Sequence, residues 1–408
     1  MRAFWAGRWS VGWLLVAIAP AQTWEQRGFV ETPLLLYPAA APGDSGRAVG
    51  EALVRYEAFF RPAKNWKLSA GVDAQTDTHR QTSRDATFSF LDRTRQRQAV
   101  SLRRASVSYQ RRRWSLELGK QFVRWGKTDI LTPTDRFAPR DYTNFARTDF
   151  LAVLAARATW GGNNDTLDFL YAPRFTPSRT PLLNQRWAGP IAGFNPLTGT
   201  PDYPGGGQVG ARWNHTGRRA EFAAAFFEGF NPLPLFQVAL TVPELRLQFT
   251  PQYAQMRMVG GDLALPLPGF TVKAEAAYFA SRTPTADEYL LYVAEAERQW
   301  GEWVALVGYA GEAVTRRRQQ FDFAADRGLT RTLIGALRYT LDANRSVAAE
   351  TAIRQNGRGA LLRLEYSQAL AAPWRLTGGY TWIRGAANDF LGQFRENSFA
   401  FLALRYSF

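Results

Sequence analysis

The most constraining feature of this chain is an alternation of period two that runs from about Gly28 to Phe408 with no apolar stretch of ~18 residues. Phe270, Val272, Ala274, Ala276 and Tyr278 share one face, and Thr271, Lys273, Glu275 and Ala277 the other. The same pattern recurs at Val347–Arg354, Leu362–Tyr366 and Trp374–Trp382. Such segments are strands with one apolar face, and helices that span a membrane are excluded.

An export signal narrows the choice. Arg2 and Arg8 precede the short apolar core Val11–Ala19, and Ala19-Pro20-Ala21 reads as a cleavage site, leaving Gln22 first. The expected organisation is a signal peptide at 1–21 and a barrel at 22–408. With no cysteine in the chain, a lipoprotein anchor, a disulfide framework and thiolate metal sites drop out. Aromatic residues make up 14% of the chain although its mean hydropathy is −0.29. Exported, aromatic-rich, alternating strands of ~9–12 residues fit a closed transmembrane barrel better than a soluble sandwich. The formal charge of +15 is carried by 50 Lys and Arg, only five of them Lys. In an exported chain that excess suits anionic lipid, including lipopolysaccharide, or an anion-favouring lumen, and not nucleic acid.

Links alternate between short and long, the rhythm of outer-membrane barrels with short periplasmic turns and long external loops. Upward strands are expected near 26–36, 66–78, 113–124, 165–174, 219–229, 269–281, 301–313, 345–355 and 374–384. Downward strands are expected near 48–60, 98–110, 149–160, 207–216, 252–265, 287–298, 330–341, 359–369 and 397–408. The total is 18, provided that 230–251 is a loop and the first segment pairs; otherwise 16 is the alternative. A closed sheet of this size leaves an aqueous channel unless something fills it. The proline-rich segment 175–206 (Pro177, Pro181, Pro190, Pro196, Pro201, Pro204) is either such a filling loop or an outer lid.

Charges opposite the apolar phase are candidates for the lumen: Glu117, Arg157, Arg212, Glu221, Lys273, Glu275, Arg338, Glu350, Arg354, Arg363, Glu365, Arg375 and Arg405. On the lipid side each arginine would cost ~2–4 kcal/mol at mid-depth. Eight of the thirteen are basic, which leans toward anionic or amphiphilic solutes. Alternatively they form cross-strand salt bridges that stiffen the wall. The last strand carries Leu402, Leu404, Tyr406 and Phe408 on one face. Leu404, Tyr406 and the terminal Phe408 resemble the C-terminal signal read by the barrel assembly machinery.

Two blocks resemble a family of uncharacterised outer-membrane barrels. Gly119–Asp129, GKQFVRWGKTD, followed by Pro133–Asp141, PTDRFAPRD, is similar to that family's G-R-Q-x-x-x-W-G … N-P-x-D strand and loop. Met256–Asp262 followed by Lys273–Tyr278 looks like its R-x-x-G-x-D … G-E-x-A-Y pair. Ala138-Pro139-Arg140-Asp141 departs from the Asn-Pro-x-Asp pattern. Some members accompany inner-membrane exporters of lipids or hydrophobes, and polysaccharide-export porins have a similar layout; the resemblance therefore implies transport, with an exporter as a candidate partner. Arg124, Asp129, Asp135, Arg136, Arg140 and Asp141 crowd the first block. They read as a folded-in constriction loop braced by ion pairs, with an external cap as the alternative.

No cofactor is expected. The only histidines, His79 and His215, fall at opposite ends of the predicted barrel, and no H-E-x-x-H or G-x-S-x-G motif is present. The chain therefore reads as a channel and not an enzyme, with a surface-anchoring barrel as the second reading.

Overall fold

A computed structural model of the chain describes residues 23–408 except 130, 184, 189–195, 242–245, 319–324 and 356. The expected export segment 1–21 lies outside the described residues. Eighteen antiparallel strands close on themselves. They are β1 (Thr23–Leu36), β2 (Ala48–Ala63), β3 (Trp66–Asp77), β4 (Val100–Arg111), β5 (Trp114–Gln121) and β6 (Val153–Gly161). Next come β7 (Asp165–Ala172), β8 (Gln208–Thr216), β9 (Glu221–Phe230), β10 (Gln255–Leu267), β11 (Phe270–Ala280) and β12 (Glu288–Trp300). The ring is completed by β13 (Trp303–Arg316), β14 (Thr332–Thr340), β15 (Arg345–Arg354), β16 (Gly359–Ala371), β17 (Trp374–Gly385) and β18 (Phe399–Ser407).

Both conditions for 18 strands hold. The first segment pairs with β2 on one side and β18 on the other. The segment 231–254 stays out of the ring, folding Leu235–Thr241 against Arg246–Gln252 as a separate hairpin. Expected and observed strand limits agree to within four residues, and the difference that bears on the site is at β5, which stops at Gln121, short of the expected 124. There Val123 and Trp125 leave the wall and bury themselves inside, where apolar contact outweighs three more ladder bonds.

Register keeps the two faces distinct. Phe270 and Tyr278 of β11 are exposed outward, whereas Glu275, Ala277 and Phe279 are buried on the inner face. Closure satisfies backbone groups that hydrocarbon could not, so the seam matters most. Gly28 N–H donates to Phe408 O at 2.8 Å and Phe408 N–H returns the bond to Gly28 O at 3.0 Å. The Phe408 ring lies so close that a Cβ on Gly28 would sit 2.6 Å from it and 2.5 Å from the Arg55 carbonyl. Leu404 and Tyr406 pair with Thr32 and Val30 of β1 along the same seam.

Aromatics collect at the short-turn end. Trp66 packs on Tyr109 at 4.8 Å, Trp303 on Tyr339 at 4.4 Å, and Trp374 on Tyr406 at 4.9 Å between ring centroids. Amphipathic rings at one level of the outer wall form the girdle expected where hydrocarbon meets headgroups.

Candidate functional site

The long-loop end turns inward. The loop 122–152 leaves β5, runs along the inner wall and docks on the middle of β11 and β12. Its anchor is Glu275, midway along β11 and 2% exposed. One carboxylate oxygen accepts from Thr134 N (2.7 Å) and Thr134 Oγ1 (2.8 Å). The other accepts from Lys127 N (3.1 Å) and Thr128 Oγ1 (2.9 Å). A buried carboxylate requires such donors. Gly126 lets the chain come this close: its φ is +93°, and a Cβ there would lie 2.6 Å from Glu275 Oε2.

The six loop charges singled out in the sequence fall into two groups. Asp129 donates its N–H to Glu295 (3.0 Å) and accepts from Lys273 Nζ (2.5 Å), beside the Lys127–Glu221 pair at 2.6 Å. Asp135 accepts from Trp125 N (3.0 Å) and Arg124 Nε (2.6 Å), and burial pushes its carboxyl above the usual range despite them. Arg136 pairs with Asp326 at 3.2 Å and lies over Phe279. Asp129 and Arg136 hold the loop against β11 and β12, while Asp135 and Arg124 brace it from within. Arg140 and Asp141 form a two-residue ladder with Phe150 and Asp149 on the far side. There Asp141 accepts from Arg97 and Arg179, both at 3.0 Å. Burial alone would raise the Asp141 carboxyl, but the two guanidiniums hold it well below the usual carboxylate range.

Beside this second group opens an internal cavity of about 430 Å³, bounded by β1–β4 and by loops 78–99, 122–152 and 173–207. Eight Arg or Lys and seven Asp or Glu side chains line it, so the walls are nearly charge-matched. Position then decides what the cavity offers. Arg55 bonds Asp73 on the wall (2.8 Å) and Asp149 on the loop (2.7 Å), and Arg103 reaches the same Asp149 oxygen at 3.1 Å. The Asp149 side chain remains 48% exposed, unlike the 12% of Asp73. It is a loop carboxylate held at the cavity's edge by two wall guanidiniums.

The thirteen strand charges all lie on the inner face by register, and most are paired within the wall. Arg157 binds Asp168 and Arg212 binds Asp262, both at 2.6 Å. Glu117 accepts from Ser106 Oγ at 2.7 Å. Arg354 holds Asp389 at 3.1 Å, Arg363 holds Glu365 at 2.8 Å, and Arg405 lies 3.7 Å from Glu31. Arg375 donates to Ser367 Oγ at 3.0 Å. Arg338 and Glu350 make no ion pair among the described residues. Among the described residues, Glu221, Lys273 and Glu275 are the ones of the thirteen that hydrogen-bond to the docked loop. Sequence reasoning missed Arg55, Asp73, Arg97, Arg103, Asp149 and Arg179. The alternation of β2 and β3 could have flagged Arg55 and Asp73. Arg97, Asp149 and Arg179 lie in loops without a period.

The barrel's shape is shared by known proteins. It overlays OccAB4 of Acinetobacter baumannii with a TM-score of 0.57 at 9% identity, covering 95% of this chain and 99% of that one. A BenF-like porin from Pseudomonas fluorescens Pf-5 gives 0.55 at 9% identity, over 94% and 98% of the two chains. Pseudomonas aeruginosa OpdK, solved with vanillate, gives 0.52 at 8% identity over 94% and 98%. No protein-family model and no curated sequence matches the chain, so the motif resemblance to uncharacterised barrels gains no support there. What the likeness carries is the architecture: an 18-strand barrel of the outer-membrane porin type.

Proposed function

We propose that this barrel is an outer-membrane channel that admits small organic solutes carrying a carboxylate. The observation behind the reading is the paired grip of Arg55 and Arg103 on the exposed Asp149 carboxylate at the edge of a 430 Å³ internal cavity. An arriving carboxylate can present an oxygen to both guanidiniums as Asp149 does. It can trade places with Asp149 without leaving either arginine unpaired. The docked loop keeps the passage narrow enough for that exchange to matter. Vanillate, held by the OpdK barrel, is an aromatic carboxylate and belongs to this solute class.

Liposome swelling tests the reading. Vesicles carrying the folded barrel should swell faster in small organic anions than in neutral solutes of equal size, and Arg103→Gln should reduce that preference. Equal rates for anions and neutral sugars, or no swelling at all, would overturn it.

A further inference from the structure

The strand links at the short-turn end divide by charge into two halves of the ring. On one side residues 64–65, 112–113, 162–164 and 217–220 contain five bases, Lys64, Arg112, Arg113, Arg218 and Arg219, and no acid. On the other side 268–269, 301–302, 341–344 and 372–373 contain two acids, Glu302 and Asp342, and no base. Arg111, at the end of β4, adds a sixth cation to the first half, and its register partner is the outward-facing Trp114. All six are exposed, and none is ion-paired among the described residues. The carboxylates nearest in sequence are engaged: Glu25 pairs with Arg61, and Asp165 accepts from Trp213 Nε1 at 2.9 Å and lies 3.0 Å from His215 Nδ1.

One of the six stands in a conformation that the turn alone does not explain. Arg112 has φ +52°, in the left-handed region where a side chain costs energy and glycine fits without strain. The equivalent two-residue turn between Trp300 and Trp303 puts Gly301 at the same angle. The chain thus holds a guanidinium where glycine would be the unstrained choice. The level of the arc says what it meets. Trp66 and Trp114 directly follow two of these turns and are exposed on the outer wall, in the girdle where hydrocarbon gives way to headgroups. Guanidiniums at that level meet lipid phosphates, with which they form charge-assisted hydrogen bonds.

From this juxtaposition we infer that the basic half-ring of turns is a binding surface for anionic phospholipid headgroups of the leaflet that the short turns face, with Arg111, Arg112 and Arg113 taking the phosphate beside Trp114. The surface needs neither the lumen nor conduction, and it stands independently of the carboxylate channel.

Quenching of the girdle tryptophans by brominated lipids tests the surface in the folded barrel, reconstituted in phosphatidylcholine bilayers. Brominated phosphatidylglycerol should be preferred over brominated phosphatidylcholine about fivefold. Arg112→Gly should lower that ratio while leaving the urea midpoint of the barrel unchanged or raised, because it relieves the turn. Arg111→Gln/Arg113→Gln should bring the ratio close to equality, and Arg298→Gln, at the same end in the other half, should leave it alone. Equal quenching by both lipids in the parent, or a preference indifferent to the arc variants, overturns the inference. So does a lower midpoint in Arg112→Gly, which would make Arg112 a part of the fold. Erasure of the preference by millimolar inorganic phosphate would reduce the surface to a general anion patch, and binding of polyglutamate without lipid preference would give it to an acidic protein. Either result also overturns it.

Discussion

Asp141 shows how a single side chain ties distant parts of the chain together. It lies in loop 122–152 and is shared by Arg97 of loop 78–99 and Arg179 of loop 173–207, so one carboxylate ties three loops at one point. All three side chains are largely buried, and removing the anion would leave Arg97 only Glu51, at 3.6 Å, and Arg179 only Asp92, at 2.5 Å, as carboxylate partners. Asp141→Asn should therefore cost ~1.5–3 kcal/mol, read as a lower urea midpoint of the refolded barrel at pH 7. Because the arginines depress its pKa, this stabilisation is complete above the unfolded value near ~4 and is lost as pH falls below it. The mutant should lack that acid slope. An Asn variant as stable as the parent, with the same acid response, would show that the three-loop junction holds nothing. Gly28 makes the complementary point at the seam. Gly28→Ala should perturb closure by ~1–3 kcal/mol and weaken the heat-modifiable gel shift typical of a sealed barrel. A seam that tolerates alanine with no change would contradict the packing of Phe408.

The strands could be read from the sequence because hydrocarbon on one side and water on the other leave a period-two record in each of them. Val272 against Lys273 in β11, or Leu364 against Arg363 in β16, suffices to set the phase. What the record omits is where loops go, because a loop inside a lumen is as polar in composition as one outside it. The dense charges of 124–141 marked that loop as structured. That Glu275 receives it at mid-barrel follows only from the three-dimensional register. The in-folding has a direct check in a chain without cysteine. Asp129→Cys paired with Lys273→Cys should be joined by a short bifunctional thiol reagent, whereas Asp129→Cys paired with Lys64→Cys, at a short turn, should not. Cross-linking only with residues of neighbouring loops would instead make the segment an external cap.

At the scale of the whole molecule, closure, loop docking and charge act together. Closure removes the sheet edge, and the in-folded loops leave cavities where an empty cylinder would be a wide pore. Nearly equal numbers of acids and bases line the inner cavity, yet the acid most open to exchange, Asp149, belongs to a loop, while Arg55 and Arg103 belong to the wall. That asymmetry, invisible in the +15 formal charge of the chain, is why a passage with matched walls should still favour anions. The most direct test is a single barrel in a planar bilayer under a potassium chloride gradient. Discrete, low-conductance openings are expected, with a reversal potential on the chloride side of zero that moves toward zero in Arg55→Gln/Arg103→Gln. A silent barrel, or a reversal potential on the potassium side, would contradict it.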